Sequence, residues 1–368
     1  MTPRTPLLTA LLPILLFSAC HLPEKPVSDQ EAGALAKKIE SSVDQHNSGI
    51  LDNIFDQKRF TQRILAEAHQ PLNLTLAQAA NSALQEIHWG QQVVGATEKG
   101  GSYSLIRQYE KEGHKHLLFR LYESSSAINY HDFELVKTDE GVKAIDVYVY
   151  MSGEDLTKTL SQSLVMMQDK LPDMSPEDQE KITRVRRINT LLKQGDYQKA
   201  SEYYEDIPAD LKKQKLFQLI HIRVASKMGD SIYIEALNEY KSNFPHDPNL
   251  YLLMLDAYVM EKDYPAAINA VNRLDSIVGK DPFQDYYRGL LYKLMKDTVE
   301  SRICLERLHK NLPQFGKGTI ELLANFATSG YPDSAAMLVR QAQKDSNVNA
   351  EEVQELKEAY PTIKPYLK

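Results

Sequence analysis

Lys193-Gln194-Gly195-Asp196-Tyr197-Gln198-Lys199-Ala200 and, further along the chain, Glu261-Lys262-Asp263-Tyr264-Pro265-Ala266-Ala267 share one local grammar. In each, a polar run ends in a turn signal, an Asp follows, and an aromatic residue leads into a new helical stretch. Pro265 suits a helix start, where its missing N–H costs nothing. The turn residues Asp196, Asp230, Asp263 and Asp297 recur at intervals of 34, 33 and 34 residues, within a segment that reads as helical from about residue 180 onward. A helix-turn-helix unit of that length cannot hide its apolar side alone, so such units stack.

The period and these words resemble the tetratricopeptide repeat, with a generic helical bundle as the alternative. Tyr287-Arg288-Gly289-Leu290-Leu291-Tyr292 supplies the large-small-large pattern of a first helix, Gly289 letting the second helix come close. Pro245, Pro282 and Pro313 fall near the ends of second helices, which Pro cannot continue. Repeats are expected at 181–214, 215–247, 248–281, 282–316 and 317–347. The last keeps Ala336 at the tightly packed position and has Gly330-Tyr331-Pro332-Asp333 as a variant turn. Residues 350–368 read as a terminal helix, ending before Pro361, that covers the last repeat.

The resemblance implies a superhelix whose inner surface is lined by first-helix side chains. By spacing, Asn189, Lys193, Arg223, Lys227, Asp256, Tyr286, Lys293 and Asn325 face that groove. This polar, basic and aromatic set suits an extended peptide or loop of some acidic character; the plain alternative is a set of solvated positions. Well-known members of the family grip a C-terminal carboxylate with Lys and Asn on adjacent first helices. Here Val185 stands where the first Lys would be, so that activity is not carried over.

The N-terminus has Arg4, an apolar run from Leu7 to Phe17, and small residues before Cys20. The run is too short to span a membrane, which takes about 20 residues, and Pro13 interrupts it, so 1–19 reads as a cleaved signal. Phe17-Ser18-Ala19-Cys20 resembles a bacterial lipobox, with Phe17 in place of the usual Leu; it implies acylation of Cys20 and a membrane anchor in the cell envelope, the outer membrane first. An unlipidated secretory signal is the alternative. Residues 20–28, with Pro23 and Pro26, form a short linker. Cys304, the only other cysteine, sits beside Ile303 and Leu305 as a buried hydrophobe. A net charge of −7 argues against a nucleic-acid partner. The clusters Arg184, Arg186, Arg187 and Lys212, Lys213, Lys215 read as solvated helix faces.

Residues 29–171 read as an α+β domain, ahead of repeats over 172–348 and a cap and tail over 349–368. Helices are expected over 34–43, 51–66 and 76–87, then strands over 102–109, 116–122, 128–136 and 142–150, joined by hairpins at Gly113, Ser124–Ser126 and Asp139-Glu140-Gly141. Helices on a curved antiparallel sheet, with Asn129-Tyr130-His131-Asp132-Phe133 and Ala144-Ile145-Asp146-Val147-Tyr148-Val149-Tyr150 as strands, resemble the cystatin-like cone of the nuclear-transport-factor-2-like superfamily. Enzymes of that superfamily use an Asp or His base with Tyr donors, roles that His131, Asp146, Tyr130 and Tyr148 are placed to fill. In a half-polar strand every second side chain is in water, so cross-strand polar contacts are the alternative.

No metal, nucleophile or phosphate motif stands out: Gly100-Gly101 is a turn, and His114 and His116 share one side of a strand without a third ligand. No cofactor is implied. The sequence thus points to a non-catalytic envelope lipoprotein that binds a protein in its repeat groove. A ligand-binding or lyase-like cone is the alternative, and a part in outer-membrane assembly a third, by analogy of layout alone.

Overall fold

The structure, a computed structural model, describes residues 26–69, 74–98, 100–123, 127–166, 175–185, 187–343 and 348–361. The expected signal segment, Cys20 with the anchor expected on it, Arg186, the 124–126 connection, the expected boundary at 171 and the tail beyond 361 lie outside these residues.

Helix α1 (Asp29–Asp44) starts at a capping box: Glu31 N donates to Ser28 Oγ at 3.2 Å, and Ser28 N donates to Glu31 Oε2 at 3.0 Å. Its stripe of Ala32, Ala36, Ile39 and Val43 is buried in the first core. The single helix expected over 51–66 is instead two, α2 (Gly49–Asp52) and α3 (Gln57–Glu67). Residues 54–56 leave the helix to pair with strand β4 (Gly141–Val149): Asp56 N donates to Ala144 O and Ala144 N to Ile54 O, both at 2.8 Å. An otherwise open strand edge is thereby covered. Helices α4 (Leu74–Ile87) and α5 (Trp89–Thr97) follow.

Strands β1 (Ser102–Lys111), β2 (His114–Tyr122), β3 (Ile128–Thr138), β4 and the short β5 (Glu154–Asp155) form an antiparallel meander in chain order. Bulges at Leu105/Arg107 and Glu134/Leu135 bend it. Leu117, Phe119, Leu121, Phe133 and Val147 pack with the helices, including α6 (Leu156–Val165). The alternate residues Leu118, Tyr122, Ile128, Tyr130 and Tyr150 are buried too, in a second core shared with the C-terminal half. The expectation that every second strand side chain meets water is therefore wrong: this antiparallel sheet is covered on both faces.

From Pro176 on, the described chain is helical: α7 (Pro176–Val185), α8 (Ile188–Gln194), α9 (Tyr197–Glu205), α10 (Ala209–Lys212), α11 (Lys215–Ala225), α12 (Asp230–Asn243), α13 (Leu250–Met260), α14 (Tyr264–Val278), α15 (Gln284–Leu294), α16 (Thr298–Asn311), α17 (Gly316–Thr328), α18 (Pro332–Ala342) and α19 (Ala350–Ala359). The antiparallel pairs α8/α9, α11/α12, α13/α14, α15/α16 and α17/α18 pack mainly against their sequence neighbours, as stacked repeats must. This is a stacked array of antiparallel helix pairs, the arrangement that the repeat period predicts. Gly289 earns its place, since a Cβ there would stand 2.8 Å from Leu305 on the second helix. Val353 of α19 is buried against the last pair.

Three turn aspartates cap second helices: Asp196, Asp263 and Asp297 accept from the backbone N–H of Lys199, Ala266 and Glu300 at 3.3, 3.1 and 3.0 Å. Asp230 makes no cap bond; it is the first helical residue after Gly229. Just before each of these aspartates the backbone is left-handed, at Gly195 (φ 78°), Gly229 (121°), Lys262 (60°) and Lys296 (64°). A lysine there is strained where glycine is not. Lys262→Gly and Lys296→Gly are each expected to stabilise the fold by about 0.5–1 kcal/mol, read as a higher urea midpoint; an unchanged or lower midpoint would contradict this reading of the turns.

Candidate functional site: the groove between repeats and sheet

The concave surface of the array does not stand open along its whole length. Its C-terminal part is filled by the chain's own sheet. Arg120 on β2 pairs with Asp281, ahead of α15, at 2.7 Å, the two side chains being 5% and 0% exposed. Asp281 also accepts from Tyr130 Oη at 2.7 Å and from Phe283 N at 3.0 Å, and Gln284 Nε2 donates to Tyr130 Oη at 2.6 Å. The Arg120 guanidinium lies over the Phe283 ring at 4.4 Å, and Tyr122 packs against Phe283 and Phe315. A buried carboxylate survives here because a cation and two hydrogen-bond donors compensate its lost hydration.

Polar clamps flank this core. Lys215 reaches Asp247 at 2.8 Å and Gly153 O at 3.2 Å, and Asn249 Nδ2 donates to Met151 O at 3.3 Å. Lys215, expected on a solvated face, is thus a clamp between the halves, whereas Arg184 and Lys212 pair locally with Glu180 and Glu205. On the far side Arg107 packs on Gly279, where φ is 81° and a Cβ would come 2.6 Å from the guanidinium.

The eight expected groove residues separate accordingly. Tyr286 is buried in the second core, and Asn325 is buried with its amide donating to Thr298 O at 3.1 Å. Lys293 is exposed and pairs with Glu321 at 2.6 Å. Tyr286 and Asn325 face no open groove, because the sheet and the neighbouring helices already hold that space, and Lys293 does not line the remaining opening. Asn189, Lys193, Arg223, Lys227 and Asp256 instead line a cavity of about 770 Å³, left between the first helices α8, α11 and α13 and the end of the sheet. Trp89, Leu121, Glu123, Asn129 and His131 contribute the opposite wall. Arg223 is reachable by solvent, yet the surrounding protein pulls its guanidinium below the usual arginine range. Burial raises the Asp256 carboxyl, which accepts from Tyr233 Oη at 3.1 Å. Lys193, Arg223 and Lys227 make no ion pair among the described residues.

The four residues weighed for catalysis occupy separate surroundings. His131 faces the first core, against Trp89 with ring centroids 4.7 Å apart. Asn129 Oδ1 accepts from Tyr130 N at 2.8 Å and Met151 N at 2.9 Å, which turns its amide nitrogen toward His131 Nε2 at 3.2 Å. Nε2 is then the acceptor and Nδ1–H donates to Tyr103 Oη at 3.0 Å. Burial pushes the His131 pKa down to about 3, so the ring is neutral and its lone pair is occupied. Asp146 lies elsewhere: its Oδ1 accepts from Val147 N at 2.8 Å and Thr157 N at 3.2 Å, and its Oδ2 from the Thr157 hydroxyl, stapling the start of α6. Arg63 is held by Glu134 at 2.5 Å and stays 3.8 Å from Asp146, so burial prevails and pushes that carboxyl up to about 7. Tyr130 belongs to the Asp281 cluster, and Tyr148 packs edge-on against Tyr150. The four do not meet in one cavity. The space between the sheet and the N-terminal helices is filled by fully buried Phe60, Phe119 and Phe133.

Among the described residues no group of three His, Cys, Asp or Glu side chains could hold a metal ion, and no helix is long and apolar enough to cross a membrane. His114 and His116 contact Glu134 and Asp132 respectively. Cys304 is buried, which pushes its thiol up.

No protein-family model matches the chain, and no curated protein matches it. A crystal structure of MamA protein is similar over 48% of this chain and 92% of that one, at 17% identity and a TM-score of 0.37. A likeness this loose adds nothing to what the helix packing shows by itself.

Two outcomes follow from this geometry. Removing one partner of the buried pair, as in Arg120→Met or Asp281→Leu, is expected to cost about 3–5 kcal/mol, and the double variant clearly less than the sum, measured by urea unfolding; simple additivity would contradict a direct pairing. For His131 the folded pKa lies below the unfolded value of 6.5, so its contribution is present above pH 6.5 and is lost as the pH falls toward 3. His131→Gln should flatten the acid side of the stability curve, where one such group adds a slope of up to about 1.4 kcal/mol per pH unit; an unaltered slope would show that His131 is not the buried neutral group.

Proposed function

We propose that the chain is a non-catalytic envelope scaffold, held to a membrane, the outer membrane first, by a lipid on Cys20, with a cone of the nuclear-transport-factor-2-like kind beside its repeats. The reading takes its anchor from the resemblance of Phe17-Ser18-Ala19-Cys20 to a lipobox, and its binding role from the array. A protein partner inserts an acidic segment where the groove remains open, at the first helices α8, α11 and α13. One observation carries this placement: Lys193, Arg223 and Lys227 converge on that opening without an ion pair among the described residues, while Arg107, Arg120 and Lys215 are spent on joining the halves. Cations left unpaired beside apolar walls suit recognition more than stability.

The test is affinity capture from membranes with wild type, an Arg223→Glu/Lys227→Glu double variant, and a Lys241→Glu control on another part of the array. Loss of the captured partner in the double variant alone is expected; equal recovery by all three would contradict the groove assignment.

A second reading has a specific observation behind it. The cavity has the size of a small-molecule site, ~300–1,000 Å³, and is walled by both halves, with Trp89 and His131 on the cone side. In that reading the site holds a small ligand between cone and array, outside the filled cone interior.

A further inference from the structure

The chemistry of the walls says what such a ligand must be. On the array side Arg223 and Lys227 stand one turn apart on the line of α11, and Lys193 comes from the end of α8. On the cone side Trp89 and Leu121 form the apolar part of the wall, beside the polar Glu123, Asn129 and His131, and Ile222 continues the apolar part onto α11. The Trp89 Nε1–H is buried without an acceptor among the described residues. The free hydrogen-bonding capacity is thus one of donors and positive charge. Of the two carboxylates present, Asp256 already holds Tyr233, and Glu123 stands in the field of Arg223.

We infer that this composite cavity is a binding site for an amphipathic organic anion, its carboxylate held by Arg223, Lys227 and Lys193 and its apolar body laid along Trp89, Leu121 and Ile222. The inference rests on the small-ligand reading above and adds the ligand's class. A neutral apolar molecule would leave three cations desolvated and unpaired, and a small hydrophilic anion would leave the apolar wall wet. An anion with a long apolar body satisfies both walls. Because the carboxylate meets donors from α8 and α11 while the body meets the cone, the occupant would bridge the two halves at the end where the sheet does not fill the groove.

The chain carries a single tryptophan, so its emission reports on this site alone. The experiment titrates dodecanoate and, separately, dodecanol into the full chain carrying Cys20→Ala, which removes any acyl group, and follows Trp89 fluorescence with calorimetry as a second readout. Saturable binding of dodecanoate is expected, weakened about tenfold or more by Arg223→Glu/Lys227→Glu, with dodecanol weaker by a similar factor and indifferent to the variant. If dodecanol binds as tightly as dodecanoate and the charge reversal changes neither, the anion class is overturned while a ligand site stands. If neither compound binds by either readout, the small-ligand reading falls with it.

Discussion

Asp281 is the residue on which the two halves of the molecule depend. Its carboxylate lies out of water between Arg120, Tyr130 and the backbone of Phe283, and those partners come from a strand pair on one side and a helix start on the other. A charge so placed is tolerable only while all its partners stay in position, which ties sheet and array into one arrangement. The apolar residues around it supply the driving force and the ion pair supplies the register. Each half also needs the other: the sheet presents Leu118, Tyr122, Ile128 and Tyr130 as a second apolar face, and the array offers Leu252, Phe283, Leu305 and Leu322 to cover it.

This changes what the repeats can do. In a free array the concave surface would be available from end to end. Here the sheet occupies the part formed by the later repeats, and among the described residues an opening is kept at the first helices of the earlier ones. A long extended partner running the length of the groove is excluded by the molecule's own packing. What remains is a cavity lined by both halves, with Lys193, Arg223 and Lys227 on one wall and Trp89, Leu121, Glu123, Asn129 and His131 on the other.

The repeat half was legible in the sequence because its signals are local. Three of the four turn aspartates cap helices directly, and Gly289 is demanded by one neighbouring side chain, so spacing alone exposes both. The break between α2 and α3 was not legible, since residues 54–56 leave the helix only to satisfy the edge of a strand some ninety positions later. Nor was the fate of Tyr286 and Asn325, which helical spacing puts on the inner side and packing then buries. One signal for the covered sheet did exist: His116-Leu117-Leu118-Phe119-Arg120-Leu121-Tyr122 is nearly continuous in apolar residues, as befits a strand buried on both faces. Arg120 interrupts that run, and its partner lies 161 positions away, beyond the reach of any local pattern. The candidate bases His131 and Asp146 were correctly placed on strands, but alternation and a bulge send them to different surroundings.

The central claim is that sheet and array form one body. Its most direct test is a distance distribution between spin labels at the exposed Glu112, on the β1–β2 hairpin, and the exposed Glu300, on α16, in a chain with Cys20 and Cys304 replaced. One narrow distance that persists in solution is the expected result, broadened when Asp281→Leu removes the buried carboxylate. A broad or two-peaked distribution in the otherwise unaltered chain would mean that the halves move independently and that the sheet does not fill the groove.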